Sequence, residues 1–257
     1  MTAADFARRI RNRERAIGYW SVLDAPVATE RIARLGYDYV ALDWQHGLIG
    51  YDGILHGMQA IDAGGVSIGV VRVEANDAAS IGRALDAGAG GVIVPLVNTA
   101  EDAAAAVAAT RYPPRGVRSY GPMRSMLRIG PKPAEADEST VVLAMIETPQ
   151  GLENVEAICA TPGLDGVYVG PSDLCLAVGG AYPGDPDVAE VFEAALKKVR
   201  EVAAAAGIAA GIHTPEGRAA ARRLAEGYTF ATVASDLVHL EKIAAAHLAA
   251  ASGNEDS

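Results

Sequence analysis

Short apolar runs of this 257-residue chain end in, or are closely followed by, residues able to do acid–base, ion-pairing or metal chemistry: Asp43 and His46, Arg72, Glu147, Asp173 and His213. Glu147 closes the run Val-Val-Leu-Ala-Met-Ile, and with Asp173 it makes a pair of carboxylates. Hard divalent ions such as Mg²⁺ and Mn²⁺ take oxygen ligands of this kind and leave the remaining positions to water and substrate. The plain alternative is two solvated loop acids. Arg72 sits inside Val-Val-Arg-Val, where a guanidinium must find an anion because an unpaired buried charge is costly. That anion is either a structural partner such as Glu147 or a substrate carboxylate or developing enolate. His46 is a candidate general base, because imidazole as a group ordinarily exchanges protons near working pH, with Asp43 or Asp86 as a carboxylate to orient it; a structural histidine is the plain alternative. Gly170-Pro171-Ser172-Asp173 opens a helical turn whose Ser172 and Asp173 N–H groups suit a carboxylate or phosphate, or else simply caps a helix with Asp173.

Elements that bring such distant residues together must repeat. The chain alternates continuous apolar runs with Ala-rich periodic segments. Strands are expected at Ile17–Leu23, Tyr39–Asp43, Ser67–Val73, Gly91–Val97, Val141–Glu147, Gly166–Gly170, Ile208–His213 and Thr229–Ala234. Helices are expected at Pro26–Leu35, Tyr51–Ile61, Ala78–Asp86, Ala100–Thr110, Gly151–Cys159, Val188–Ala206, Pro215–Ala225 and Asp236–Ala249. Continuous apolar strands imply a sheet covered on both faces, and Gly36, Gly64-Gly65, Gly88, Gly163 and Gly227 stand where helix C-caps should. Eight strand–helix units predict an α/β fold of the (β/α)₈ TIM-barrel type, in which polar groups at the C-terminal strand ends line one site. A doubly wound open sheet is the rival, but it gives no reason for such residues to come from almost every strand. Residues 1–251 form one domain in this reading and 252–257 a disordered tail. The segment Tyr112 to Ser139, with five prolines, is too long for a plain connection and reads as a lid, binding loop or interface.

Half the residues are hydrophobic, which excludes disorder. The net charge of −10 argues against nucleic acid, whose binding rests on Lys and Arg neutralising phosphates. The basic start, Arg8 to Arg15, reads as a solvated helix rather than a targeting segment. The longest apolar stretch, Val202 to Ile212, is too short to span a bilayer. Two cysteines, Cys159 and Cys175, suggest neither a disulfide framework nor a metal knuckle, so a cytoplasmic location is expected. None of the four lysines lies on an expected strand, which disfavours imine chemistry.

The runs Leu-Asp-Trp-Gln-His, Val-Val-Arg-Val, Leu-Asp-Ala-Gly-Ala, Arg-Tyr-Pro-Pro-Arg-Gly-Val-Arg-Ser, Met-Ile-Glu-Thr and Val-Gly-Pro-Ser-Asp-Leu, taken in order, resemble the HpcH/HpaI family of class II pyruvate aldolases across nearly the whole chain. The resemblance implies a barrel whose last helix is swapped onto a neighbouring subunit in a homo-hexamer, a trimer of dimers. It implies a divalent cation (Mg²⁺, Mn²⁺ or Co²⁺) held at Glu147 and Asp173, His46 as base with Asp86 and Asp43 as catalytic carboxylates, and Arg72 on the pyruvyl oxygen. Gly170 and Ser172 would hold the pyruvate carboxylate, with Trp20 and His213 as further substrate contacts. Three features depart from the commoner family pattern: Trp44-Gln45 ahead of His46, Met145 where glutamine is frequent, and His213 where an aliphatic or aromatic residue often stands. A polar, titratable group at 213 favours a hydroxylated or anionic aldehyde.

The expected activity is therefore reversible, metal-dependent aldol cleavage of a 4-hydroxy-2-oxoacid to pyruvate and an aldehyde. Decarboxylation of oxaloacetate, or another carbon–carbon bond formation from the pyruvate enolate, is the alternative at the same site. A non-catalytic barrel that binds metal and ketoacid is the reading of a different class.

Overall fold

The structure, a computed structural model, describes residues 1–253. Eight parallel strands close into a barrel: β1 (Ala16–Ser21), β2 (Tyr39–Asp43), β3 (Ile68–Arg72), β4 (Gly91–Val94), β5 (Val141–Ile146), β6 (Gly166–Val169), β7 (Ala209–Thr214) and β8 (Phe230–Ser235). Closure by β1 pairing with β8 decides against the open sheet. Around it lie α2 (Pro26–Ala33), α3 (Tyr51–Gly64), α4 (Ala78–Asp86), α5 (Ala100–Thr110), α7 (Pro149–Glu153), α8 (Val155–Cys159), α9 (Pro171–Ala177), α10 (Ala189–Ala206), α11 (Gly217–Ala225) and α12 (Asp236–Ala251); α1 (Ala3–Arg11) precedes the barrel, and α6 (Pro133–Ser139) lies in the long segment before β5.

Side chains alternate across each strand, and the alternation separates two cores. Outward residues such as Val40, Leu42, Val71, Val142, Ile146, Val167 and Ile212 pack against the helices. Inward ones, among them Tyr39, Val70, Ile93, Leu143, Tyr168 and Phe230, fill the barrel. Glycine makes room where a large ring crosses the interior: a Cβ on Gly18 would lie 2.1 Å from the Tyr39 ring, and one on Gly211 2.1 Å from that of Phe230. The Tyr39 and Tyr168 hydroxyls both meet the Thr232 hydroxyl at 2.7 Å, so the buried phenols are satisfied.

Several expectations need correction. The basic start is a helix but not a solvated one, since Phe6, Ala7 and Ile10 of α1 join the barrel interior from below. Its arginines clamp it there, Arg9 on Asp38 and Arg11 on Asp165, each at 2.6 Å. β4 stops at Val94 rather than Val97 because Pro95 has no N–H to give the ladder. The helix expected over Gly151–Cys159 divides at Asn154 into α7 and α8. The long segment contains a 3₁₀ turn, Ser125–Leu127, as well as α6. The C-cap glycines are borne out: Gly36, Gly65, Gly88, Gly163 and Gly227 all take positive φ. Of the tail read as disordered, Ser252 and Gly253 form a turn after α12, and 254–257 lie outside the described residues. Among the described residues no helix is long and apolar enough to cross a membrane.

The closeness of Gly211 to Phe230 gives a test of interior packing. Gly211→Ala should destabilise the fold by about 1–3 kcal/mol through overpacking, read as a lower urea midpoint with an unchanged m-value. An unaltered midpoint would mean that the Phe230 ring has room to move.

Candidate active site

The uppermost inward positions of the strands are polar where the layers below are apolar. β2 and β3 are in register with Asp43 beside Arg72, and the two form a bidentate pair, Arg72 Nε to Asp43 Oδ1 at 2.9 Å and Nη2 to Oδ2 at 2.5 Å. The structural partner of Arg72 is thus Asp43, not Glu147. Among the described residues its Nη1 makes no hydrogen bond. Trp20, from β1, donates its indole N–H to Asp43 Oδ2 at 3.2 Å and lies 5.0 Å beneath the guanidinium carbon. Tyr168 from β6 stacks on Trp20 at 5.9 Å, and His213 from β7 meets its edge at 5.3 Å. Burial works against the Asp43 charge, but Arg72 and the donors from His46 and Trp20 outweigh it and hold the carboxyl below its usual range.

Asp43 also shapes the loop that carries His46. Its Oδ1 accepts the backbone N–H groups of Gln45 and His46, each at 3.1 Å. Contact is with the His46 backbone; the imidazole is exposed and has no hydrogen-bond partner among the described residues. Asp86 is not brought to His46 either. It ends α4 near the N-terminal face of the barrel, where Arg118 holds its Oδ1 at 2.8 Å. Burial pushes the Asp86 carboxyl up despite Arg118.

Glu147 follows β5 directly and is 3% exposed. Its Oε1 accepts the Leu96 N–H at 2.8 Å, while Oε2 is buried with no hydrogen-bond partner. Leu96 takes φ 54° to make that contact, a left-handed backbone costing a leucine about 1–3 kcal/mol. Burial raises the Glu147 pKa, the Leu96 N–H opposes it, and the charge of Asp173 raises it further. Asp173 is exposed in the first turn of α9, after Gly170. At Gly170 a Cβ would fall 2.7 Å from Glu147 Oε2, so glycine keeps open the space in front of that oxygen. The first intrahelical bond of α9 runs from Leu174 N–H to the Gly170 carbonyl at 3.0 Å, ahead of which the Ser172 and Asp173 N–H groups are spare.

These residues enclose a cavity of about 190 Å³, whose walls include Trp20, His46, Arg72, Asp173 and His213. It is smaller than the roughly 300–1,000 Å³ of clefts that hold drug-sized ligands, which suits a compact molecule. A divalent cation fits the donor set: one buried, unsatisfied carboxylate oxygen with a second carboxylate close enough to raise its pKa. Among the described residues no three His, Cys, Asp or Glu side chains gather as a metal cluster, so such an ion would keep positions for water and substrate. Asp173 and Glu147, Arg72, His46, Trp20 and His213 are brought to one mouth, and Asp86 is not. Tyr168 and Leu96 were missed by sequence reasoning; Tyr168 was signalled by its place two residues before Gly170 on the inward face.

The raised Glu147 pKa has a sign that can be measured. In metal-free protein the folded state holds a proton on Glu147 at pH values where the unfolded chain has lost it, so stability falls as pH rises above the ordinary glutamate range. Glu147→Gln should flatten that fall in urea titrations at successive pH values. The same variant should lose the thermal shift that Mn²⁺ gives the wild type. A slope and a shift both unaltered would place neither the proton nor the ion on Glu147.

Comparison with known proteins agrees with this geometry. Residues 16–242 match the family model described as HpcH/HpaI aldolase/citrate lyase. A hydroxypyruvate/pyruvate aldolase from Rhizorhabdus wittichii is 43% identical over 230 residues, covering 89% of this chain and 91% of its own. A 5-keto-4-deoxy-D-glucarate aldolase from Shigella dysenteriae is 38% identical over 225 residues, 86% of each chain. The crystal structure of an HpcH/HpaI aldolase/citrate lyase family protein from Burkholderia cenocepacia superposes with a TM-score of 0.86 at 32% identity, covering 95% of this chain and 98% of that one. With eight parallel strands closed into a barrel and a match over most of its length, the chain belongs to the HpcH/HpaI aldolase/citrate lyase family.

Proposed function

We propose that this protein is a class II pyruvate aldolase that reversibly cleaves 4-hydroxy-2-oxoacids to pyruvate and an aldehyde. The observation that carries the reading is Glu147 Oε2, buried without a partner among the described residues and next to Gly170, which with Arg72 and Asp173 lines the small cavity. A divalent cation (Mg²⁺, Mn²⁺ or Co²⁺) bound at Glu147 and Asp173 supplies Lewis-acid polarisation of the ketoacid. The spare N–H groups at Ser172 and Asp173 hold the ketoacid carboxylate. Arg72, anchored through two of its nitrogens, presents Nη1 to the negative charge that builds on the keto oxygen when a methyl proton leaves. His46 is the base, directly or through water. Asp43 is a positioning residue: it aims Arg72 and tethers the His46 loop, and it does not touch the imidazole. Trp20 walls the cavity beneath Arg72.

Asp86 serves as the carboxylate partner of a histidine only across a boundary between copies, because α4 carries it to the other end of its own barrel. Two features support an oligomer. None of the sixteen residues of α12 is buried, although Leu240, Ile243 and Leu248 are 58–70% exposed. Met123 and Leu127, beside Asp86 in the long segment, are likewise 85% and 76% exposed. A second copy covering α12, as in a swapped homo-hexamer, removes these apolar surfaces from water.

Three measurements test the proposal. Deuterium should enter the pyruvate methyl group only when Mg²⁺ or Mn²⁺ is added; a well-folded preparation without exchange is a binding protein instead. Arg72→Ala should lower kcat about 10²–10³-fold, the usual cost of one preorganised donor. Pyruvate release from a 4-hydroxy-2-oxoacid should exceed release from oxaloacetate, and the reverse order would make the protein a decarboxylase. For the assembly, sedimentation should give a hexamer that removal of 236–257 converts to smaller species; an active monomer would end that part of the reading.

A further inference from the structure

Among the polar side chains that line the cavity, the chemistry above leaves two without a role, the exposed Ser172 hydroxyl and the His213 ring, and of these only His213 has a buried polar atom without a partner among the described residues. Arg72 and Asp43 are committed to each other, Glu147 and Asp173 to the cation, and His46 to the proton. His213 stands on β7 with its ring against Trp20, and among the described residues neither ring nitrogen has a hydrogen-bond partner. The two nitrogens are not equivalent. Nδ1 is shut away from solvent and unsatisfied, whereas Nε2 is not among the buried orphan atoms and so reaches the open cavity.

That asymmetry fixes the proton. A buried N–H without an acceptor is disfavoured more than a buried lone pair, so the hydrogen belongs on Nε2. The ring is also uncharged at working pH. Burial and the nearby Arg72 guanidinium push its pKa down to about 4, against a weaker opposing pull from Asp43. The titratable character expected at this position is therefore absent near neutrality, and with it any attraction for an anionic aldehyde. What remains is one rigid, neutral donor.

We propose that His213 Nε2–H selects substrates bearing a hydroxyl oxygen next to the bond being made or broken, and so gives the enzyme its preference for hydroxylated over deoxy partners. The proposal rests on the aldolase reading and deepens it. The hydroxyl has two sources, C3 of a hydroxylated ketoacid or C2 of the aldehyde. In both cases a cavity that offers a donor to a missing acceptor discriminates against the deoxy compound. Since the donor is neutral, a second carboxylate on the aldehyde gains nothing from it.

The test compares kcat/KM ratios within each protein, so that a general loss of activity cancels. One arm uses pyruvate with glycolaldehyde against acetaldehyde; the other uses hydroxypyruvate against pyruvate with a common aldehyde. In wild type at least one ratio should favour the hydroxylated compound. His213→Phe, which keeps an aromatic ring on Trp20 without a donor, should lower that ratio about 10- to 100-fold. His213→Gln, which restores an N–H near the Nε2 position, should recover most of it, as a merely space-filling residue would not. The arm that responds identifies the source of the hydroxyl. If both ratios survive His213→Phe in a protein that still exchanges the pyruvate methyl protons, the inference is overturned and the aldolase reading stands. Wild type that neither exchanges protons nor cleaves a hydroxy-oxoacid overturns both.

Discussion

The ion pair of Asp43 and Arg72 is the interaction on which the rest of the site depends. It joins the last residues of two neighbouring strands in register, in the bidentate geometry that makes guanidinium–carboxylate contacts directional. A buried pair of this kind adds little net stability over a well-packed apolar substitute, yet removing one partner costs about 3–5 kcal/mol by stranding the other charge. Its contribution is therefore to definition rather than to stability. Asp43 accepts five hydrogen bonds, two from Arg72, one from Trp20 and two from loop N–H groups, so the guanidinium, the floor of the cavity and the approach of His46 are set by one carboxylate.

Glu147 obeys the opposite rule. Where Asp43 is saturated, Glu147 keeps one oxygen buried and empty-handed, and a leucine is strained into left-handed backbone to satisfy the other. An isolated chain has no structural use for that arrangement, which raises the carboxyl pKa and lowers stability at neutral pH. Local cost of this sort is expected where a fold is organised around a ligand. The contrast between the two carboxylates, one compensated and one not, separates scaffold from binding group more clearly than residue type does.

Much of this was legible in the sequence because barrel strands alternate with period two while their ends mark the site. Arg72 and Glu147 announced themselves as charges in or at the end of apolar runs, and β2, α4 and α5 took the expected bounds. The errors have physical causes. An arginine in an apolar strand requires an anion, but which anion depends on register between strands, so Asp43 was not distinguishable from Glu147. The arginines of α1 look solvated in one dimension; only closure of the barrel brings Asp38 and Asp165 beneath them. Leu96 carries no chemical signal, since it contributes a backbone N–H and a torsion angle. Asp86 lay within the quoted motif, yet proximity in sequence does not say which end of a helix points toward the mouth.

The layered interior explains how one barrel can keep its chemistry while changing its partner. From α1 upward, the Tyr39–Thr232–Tyr168 hydroxyl contacts and the stacked Trp20 form a packed pedestal with no free polar group. Arg72 rests on that pedestal and is fixed by it. His213 touches the same tryptophan but makes no hydrogen bond among the described residues, so its replacement disturbs neither the ion pair nor the carboxylate that awaits a cation. Selectivity for the second substrate can therefore vary at strand seven without moving the atoms that handle the first. A neutral ring beside a compensated guanidinium also leaves the cavity walls without an uncommitted positive charge, which sets hydroxyl recognition apart from carboxylate recognition at the aldehyde end.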